Sequence, residues 1–202
     1  MNARLITVAV IGALLGATAG FALLPSSREK ILSVPRQVSV GTAQGGGPFA
    51  LVDQTGRSVT DETFRGRPML VLFGFTNCPD VCPTELQLVS AALDKLGPRA
   101  DRLTTLFITL DPERDTPARL AEYVKSFNPR ILGLTGTAEQ VANAAKAYRV
   151  YFKKVADEKA PDGYTIDHSA IIYLMDANGA FLTHVAYTTS VDRLLAQLDK
   201  VL

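Results

Sequence analysis

Pro68 to Phe75 reads Pro-Met-Leu-Val-Leu-Phe-Gly-Phe, a short run in which apolar residues do not alternate with polar ones. A strand of this kind has no face to give to solvent, so it belongs in the middle of a sheet covered on both sides. Helices are the usual cover, which makes the chain an α/β protein. Immediately after the run come the chain's two cysteines, Cys78 and Cys82, and then Thr84 to Leu96 with helical periodicity.

The elements around this strand follow from turn and cap signals. Phe49 to Val59 reads as a β-hairpin turning at Asp53-Gln54-Thr55-Gly56. Leu103 to Leu110 is a second buried strand. Thr116 can cap a helix to Phe127 that carries Pro117 at its first position. Ile131 to Leu134 is a short strand, Ala138 to Tyr148 an alanine-rich helix and Tyr151 to Val155 a strand before a polar loop, Ala156 to Asp167. Ser169 to Met175 and Ala180 to Tyr187 form a hairpin about Asp176-Ala177-Asn178-Gly179, and Ser190 caps a last helix to Leu202. A β-α-β unit followed by β-β-α is the thioredoxin arrangement, a mixed central sheet flanked by helices.

Ahead of the domain, Leu5 to Leu24 is a 20-residue run with no charged side chain. As a helix it measures about 30 Å, the thickness of a bilayer's hydrocarbon core. It reads as a transmembrane signal anchor, with a cleaved signal ending near Ala17-Thr18-Ala19 as the competing reading. No cysteine lies near it, which excludes a bacterial lipoprotein anchor. Gly12, Gly16 and Gly20 share one helical face, a packing stripe for another helix. The organisation expected is a tail at 1–4, the anchor at 5–24, a Pro/Ser/Gln/Gly linker at 25–47 and one domain at 48–202.

The 21 basic and 20 acidic residues nearly cancel, and no basic run occurs. That excludes a nucleic-acid footprint. Two cysteines four positions apart are too few for a disulfide scaffold and suit redox or metal chemistry instead. Pro83 disfavours helical geometry at Cys82, which makes Cys82 the expected N-cap of the helix that follows. Both sulfurs then lie near unpaired N–H groups and the positive end of a helix dipole, which favours the thiolate.

Two readings of the pair stay open on spacing alone, a disulfide and an ion held between the sulfurs. An imidazole beside two thiolates makes a soft donor set suited to copper, Cu(I) above all. Structural zinc takes four protein ligands, and neither histidine has zinc-finger spacing. His168, in Tyr164-Thr165-Ile166-Asp167-His168-Ser169-Ala170, stands where a polar loop meets a strand, a common setting for ligands and equally for a surface histidine. His184 alternates with apolar neighbours in its strand and reads as solvent-facing.

The run Phe73-Gly74-Phe75-Thr76-Asn77-Cys78-Pro79-Asp80-Val81-Cys82-Pro83 resembles the signature of the Sco (SenC) family, membrane-tethered thioredoxin-like copper proteins. Asp111-Pro112-Glu113-Arg114-Asp115-Thr116-Pro117 and Asp167-His168-Ser169 resemble the family's second and third blocks, in the same order. The resemblance implies that Cys78, Cys82 and His168 bind one copper ion per chain, as Cu(I) or Cu(II). It also implies that the two cysteines form a reversible disulfide.

It implies as well a chaperone role in maturing the binuclear copper centre of cytochrome c oxidase, with the copper-bearing oxidase subunit and another copper chaperone as partners. A membrane-tethered thiol:disulfide reductase acting on the recipient's cysteines is the alternative. The expected location is the bacterial inner membrane, with the domain facing the periplasm. Asp111 and Asp115 flank a strand end and could orient the loop or meet a partner, with capping of the helix at Thr116 as the simpler reading.

Overall fold

The computed structural model describes residues 45–160 and 162–202. The anchor at 5–24 and the linker up to residue 44 lie outside the described residues. Among those described, no helix is long and apolar enough to cross a membrane.

Among the described residues, nine strands and four α-helices follow in chain order. β1 (Ala50–Asp53) and β2 (Ser58–Thr60) form the first hairpin, and β3 (Met69–Gly74) leads into α1 (Val81–Leu96). β4 (Thr104–Thr109), α2 (Pro117–Val124), β5 (Ile131–Thr135) and α3 (Ala138–Ala147) come next. β6 (Phe152–Ala156) pairs with β7 (Tyr164–His168), β8 (Ile171–Met175) with β9 (Phe181–Ala186), and α4 is Val191–Leu198.

The main sheet has seven strands in the order β2-β1-β5-β4-β3-β8-β9. Its centre, β5-β4-β3, is parallel, and β1 and β8 join it antiparallel. This is the mixed α/β sheet the sequence calls for, with every residue of β3 and β4 buried. Alternate side chains of β3 feed two cores. Val71 and Phe73 pack with Val141, Ala144 and Tyr148 on the α3 side. Leu70 and Leu72 pack with Leu86, Val89 and Leu93 of α1, Leu120 of α2 and Leu194 of α4 on the other. Cys82 is the exception in α1, because it reaches over the end of β3 into the α3-side core.

Three sequence expectations are corrected. α1 starts at Val81 with Asp80 as N-cap, so Cys82 is the second helical residue and not the cap. Pro83 costs nothing there, because the first-turn N–H groups of a helix have no intrahelical partner anyway. The helices meant to reach Phe127 and Leu202 end earlier, in tighter turns such as Phe127 N–H to Val124 O (3.0 Å) and Val201 N–H to Leu198 O (3.0 Å). The segment read as a polar loop, Ala156 to Asp167, contains β7, and β6 with β7 make a separate two-stranded sheet running from Phe152↔His168 to Ala156↔Tyr164.

Candidate metal centre

The cysteines sit at the C-terminal edge of β3, where the chain turns into α1. Gly74 ends that strand, and a Cβ at this position would stand 2.7 Å from Cys82 Sγ and 2.8 Å from the Phe107 ring. Only a residue without a side chain lets the buried sulfur settle on the strand end. The next turn is tied down from the loop and helix that follow β4. Asp115, wholly buried, accepts from Thr76 N–H (3.0 Å), Thr76 Oγ1 (2.6 Å) and Thr109 Oγ1 (2.6 Å). Arg119 donates to Thr76 Oγ1 (3.3 Å) and to Asn77 Oδ1 (3.2 Å). Asp115 therefore holds the cysteine turn, while the cap of α2 is Thr116, whose side chain accepts from Arg119 N–H. Orienting the loop, one of the roles the sequence left open, is thus what Asp115 does, and the simpler reading of Asp111 and Asp115 as helix-capping residues is corrected.

Cys78 Sγ accepts the Cys82 N–H at 3.4 Å, doing the work of a cap side chain for α1. Hydrogen bonding from Cys82 holds the Cys78 thiol well below its ordinary range against the opposing effect of burial, and contact with His168 adds to it. Cys82, fully buried, moves the other way, because it shares its proton with Cys78 and lies out of water. The pair thus carries one ready thiolate, half-exposed, over one buried thiol.

His168 is the last residue of β7. Its Nδ1 lies 3.1 Å from the Ser169 carbonyl, which can only accept, so Nδ1 carries the proton and Nε2 presents its lone pair. Nε2 is 3.6 Å from Cys82 Sγ, and the ring stands edge-on to Phe75 at 5.9 Å. Burial draws the imidazole pKa down, but the Cys78 sulfur and the Ser169 carbonyl outweigh it and raise it.

The donor atoms of Cys78, Cys82 and His168 all lie within 4.8 Å of one another. Bonds of about 2.0–2.3 Å from sulfur and nitrogen to a first-row ion place such donors about 3.5–4 Å apart, so the set fits one ion with little movement. A cleft of about 390 Å³ opens beside them, lined by Phe75, Cys78, Pro79, Val81, His168 and Tyr187 among others. A larger cavity, about 470 Å³, lies at the opposite end of β4 around Arg67, Thr104 and Arg130 and holds no cysteine or histidine. His184 is exposed on β9, stacked on Phe181 at 6.1 Å and outside the donor group, as its alternation predicts.

Glu85 is the residue that sequence reasoning missed. It is wholly buried one turn along α1 from Cys82, and neither carboxylate oxygen has a hydrogen-bond partner. Burial lifts its pKa to about 7, the field of His168 opposes the rise and that of Cys78 adds to it. Nothing in the sequence separates this glutamate from an ordinary acid near the start of a helix.

The family described as SCO1/SenC matches residues 38–202. The chain belongs to that family. "Protein SCO1 homolog, mitochondrial" of Homo sapiens is 42% identical over 181 residues, 89% of this chain and 59% of the human protein. "Protein sco1" of Schizosaccharomyces pombe is 44% identical over 163 residues, 79% of this chain and 60% of the yeast protein. The chain thus spans about three fifths of the length of these two Sco relatives. The solved structure of Bradyrhizobium japonicum ScoI with copper bound is 44% identical, covers 78% of this chain and 99% of that chain, and superposes with a TM-score of 0.73. The likeness extends the thioredoxin-like reading of the sheet to the whole described domain.

Proposed function

We propose that this Sco protein binds one copper ion through Cys78, Cys82 and His168 and passes it on during assembly of the copper-bearing subunit of cytochrome c oxidase. The observation that carries the reading is the convergence of two sulfurs with an imidazole Nε2 whose tautomer is already set for metal. Two soft thiolates and one imidazole favour copper over magnesium or calcium, and three protein donors fall short of the four of a structural zinc site. The 390 Å³ cleft gives an ion, or a partner's donor side chain, a way to Cys78 and His168. A relative solved with copper bound supports the choice of metal.

The cysteine pair itself favours a second reading. A stabilised thiolate over a buried thiol is the arrangement for thiol–disulfide exchange, with Cys78 attacking and Cys82 resolving. On this reading the protein reduces the recipient's cysteines and is an oxidoreductase. The imidazole argues for the chaperone, since a dithiol reductase has no use for a nitrogen lone pair 3.6 Å from its buried sulfur.

Residues 5–24 are proposed to anchor the chain in the bacterial inner membrane, with residues 48–202 in the periplasm. A reporter active only in the cytoplasm, fused after Leu202, should then be silent. The functional test is oxidase activity in a His168→Ala strain with normal protein level. Loss of activity at limiting copper, partly restored by added copper, is expected. Wild-type activity would transfer the role to the reductase.

A further inference from the structure

The two halves of the candidate site come from different sheets, and one loop touches both. Cys78 and Cys82 follow β3 of the main sheet, whereas His168 ends β7 of the two-stranded hairpin. The loop from Asp111 to Asp115 grips the first through Asp115 and Thr76, and the second through Asp111, Arg114 and Tyr164. Asp111, nearly buried, pairs with Arg114 Nε and accepts from the Tyr164 hydroxyl at 3.0 Å. The Arg114 guanidinium lies 3.8 Å from the centre of the Tyr164 ring and donates to the Tyr164 carbonyl at 3.3 Å.

Tyr164, Ile166 and His168 alternate along β7 and so share the face turned to the body. The same loop adds two exposed ion pairs, Glu113 with Lys154 at 2.7 Å and Arg114 with Asp162 at 3.5 Å. Ile166 is the one buried residue among those described in the hairpin, and a cavity of about 200 Å³ lies beneath it, lined by Leu110, Pro112, Val141, Phe152 and Ile166 among others. The base is closed by Ser169 N–H to Tyr151 O at 3.0 Å.

We propose that Asp111, Arg114 and Tyr164 are positioning residues for the metal, a clamp that keeps the hairpin docked and thereby holds His168 Nε2 against the two sulfurs. The inference rests on the copper reading and adds to it a means of release. Opening the clamp withdraws the imidazole while both sulfurs stay in place, which converts a three-donor site into a two-thiolate site that a recipient can empty. The Asp115 contacts to Thr76 and Thr109 do not open in this motion, because they belong to the main sheet.

The test is transfer of Cu(I) from the full chain to an excess of a colorimetric chelator, in wild type, Tyr164→Ala, Tyr164→Phe and His168→Ala, and in the double variant Tyr164→Ala with His168→Ala. Loss of the ring stack and the hydroxyl bond together is expected to speed transfer about tenfold, and loss of the hydroxyl alone about threefold. In the His168→Ala background Tyr164→Ala should add nothing, since the clamp acts through that imidazole. The Cu(II) form of Tyr164→Ala should also lose the imidazole nitrogen coupling in its electron paramagnetic resonance spectrum. An equal acceleration in both backgrounds, or an unchanged transfer rate with intact nitrogen coupling, overturns the clamp. Should Tyr164→Ala not fold, the same cycle with Arg114→Gln in its place decides the matter. A wild-type chain that takes up no copper overturns the copper reading itself and the clamp with it.

Discussion

The cysteine arm and the histidine arm of this site are built to different standards. The first is the end of β3, a strand with no exposed residue, followed by a turn that Asp115 and Arg119 hold with four hydrogen bonds. The second is a hairpin whose strands are mostly half-buried or exposed and which rests on Ile166, on the contacts of Asp111 and Arg114 with Tyr164, on the exposed Glu113–Lys154 pair and on its own ladder. The sulfur pair is therefore set by the core of the fold, and the imidazole by a small appended sheet. A protein that must hold an ion and also surrender it gains from this division, because one donor can move at little cost to the rest.

The largest expected effect sharpens that contrast directly. Leu72→Ala, in the centre of β3, should cost about 4 kcal/mol, whereas Ile166→Ala, the hairpin's buried anchor, should cost about 2 kcal/mol because an underfilled site can collapse. Urea unfolding measures both, and equal costs would mean that the hairpin is as integral to the core as β3. Asp115→Ala leaves two buried hydroxyls and one backbone N–H without their acceptor, and should cost about 3 kcal/mol. A cost below about 1 kcal/mol would show that the cysteine turn does not depend on this carboxylate.

Glu85 gives a smaller and pH-dependent effect. Its pKa is raised by burial from 4.5 to about 7, so the folded protein keeps a proton that the unfolded chain releases. Its contribution is intact below about pH 4.5, falls as pH rises through this window, and is lost above about 7. About 2.5 units correspond to roughly 3 kcal/mol. Glu85→Gln abolishes the ionisation but leaves a buried amide without partners, so the copper-free variant should be about 2 kcal/mol more stable than wild type at pH 8 and about 1 kcal/mol less stable near pH 4. Thermal unfolding at the two pH values checks the sign. The smallest effect belongs to His184→Ala, which should change stability by less than about 0.5 kcal/mol, as for other exposed strand positions.

How much of this was legible in the sequence divides along the same line. β3 announces itself through an unbroken apolar run bounded by turn residues, and β4 through a β-branched and apolar run, Leu103 to Leu110, of strand length. The cysteines are legible from their place after such a strand. The start of α1 is not, since a proline read as a barrier at Cys82 is harmless among first-turn residues that lack partners. β7 hides in a polar stretch because its outward face is solvent-exposed and only Ile166 is fully buried. His168 stood out only through the resemblance of three separated motifs, as its distance from the cysteines along the chain leaves no local pattern. The contacts of Asp111 and Arg114 with Tyr164 leave no pattern for the same reason, since they join residues about fifty positions apart.

The central claim is that two sulfurs and the His168 imidazole form one copper site. Anaerobic titration of the reduced protein with Cu(I), against a competing chelator of known affinity, tests it most directly. One copper per chain is expected, held at least tenfold more weakly after His168→Ala, a loss of one ligand worth about 1.4 kcal/mol or more, and unchanged after His184→Ala. Identical affinities for the two histidine variants, or no copper retained by the wild-type protein, would contradict the account.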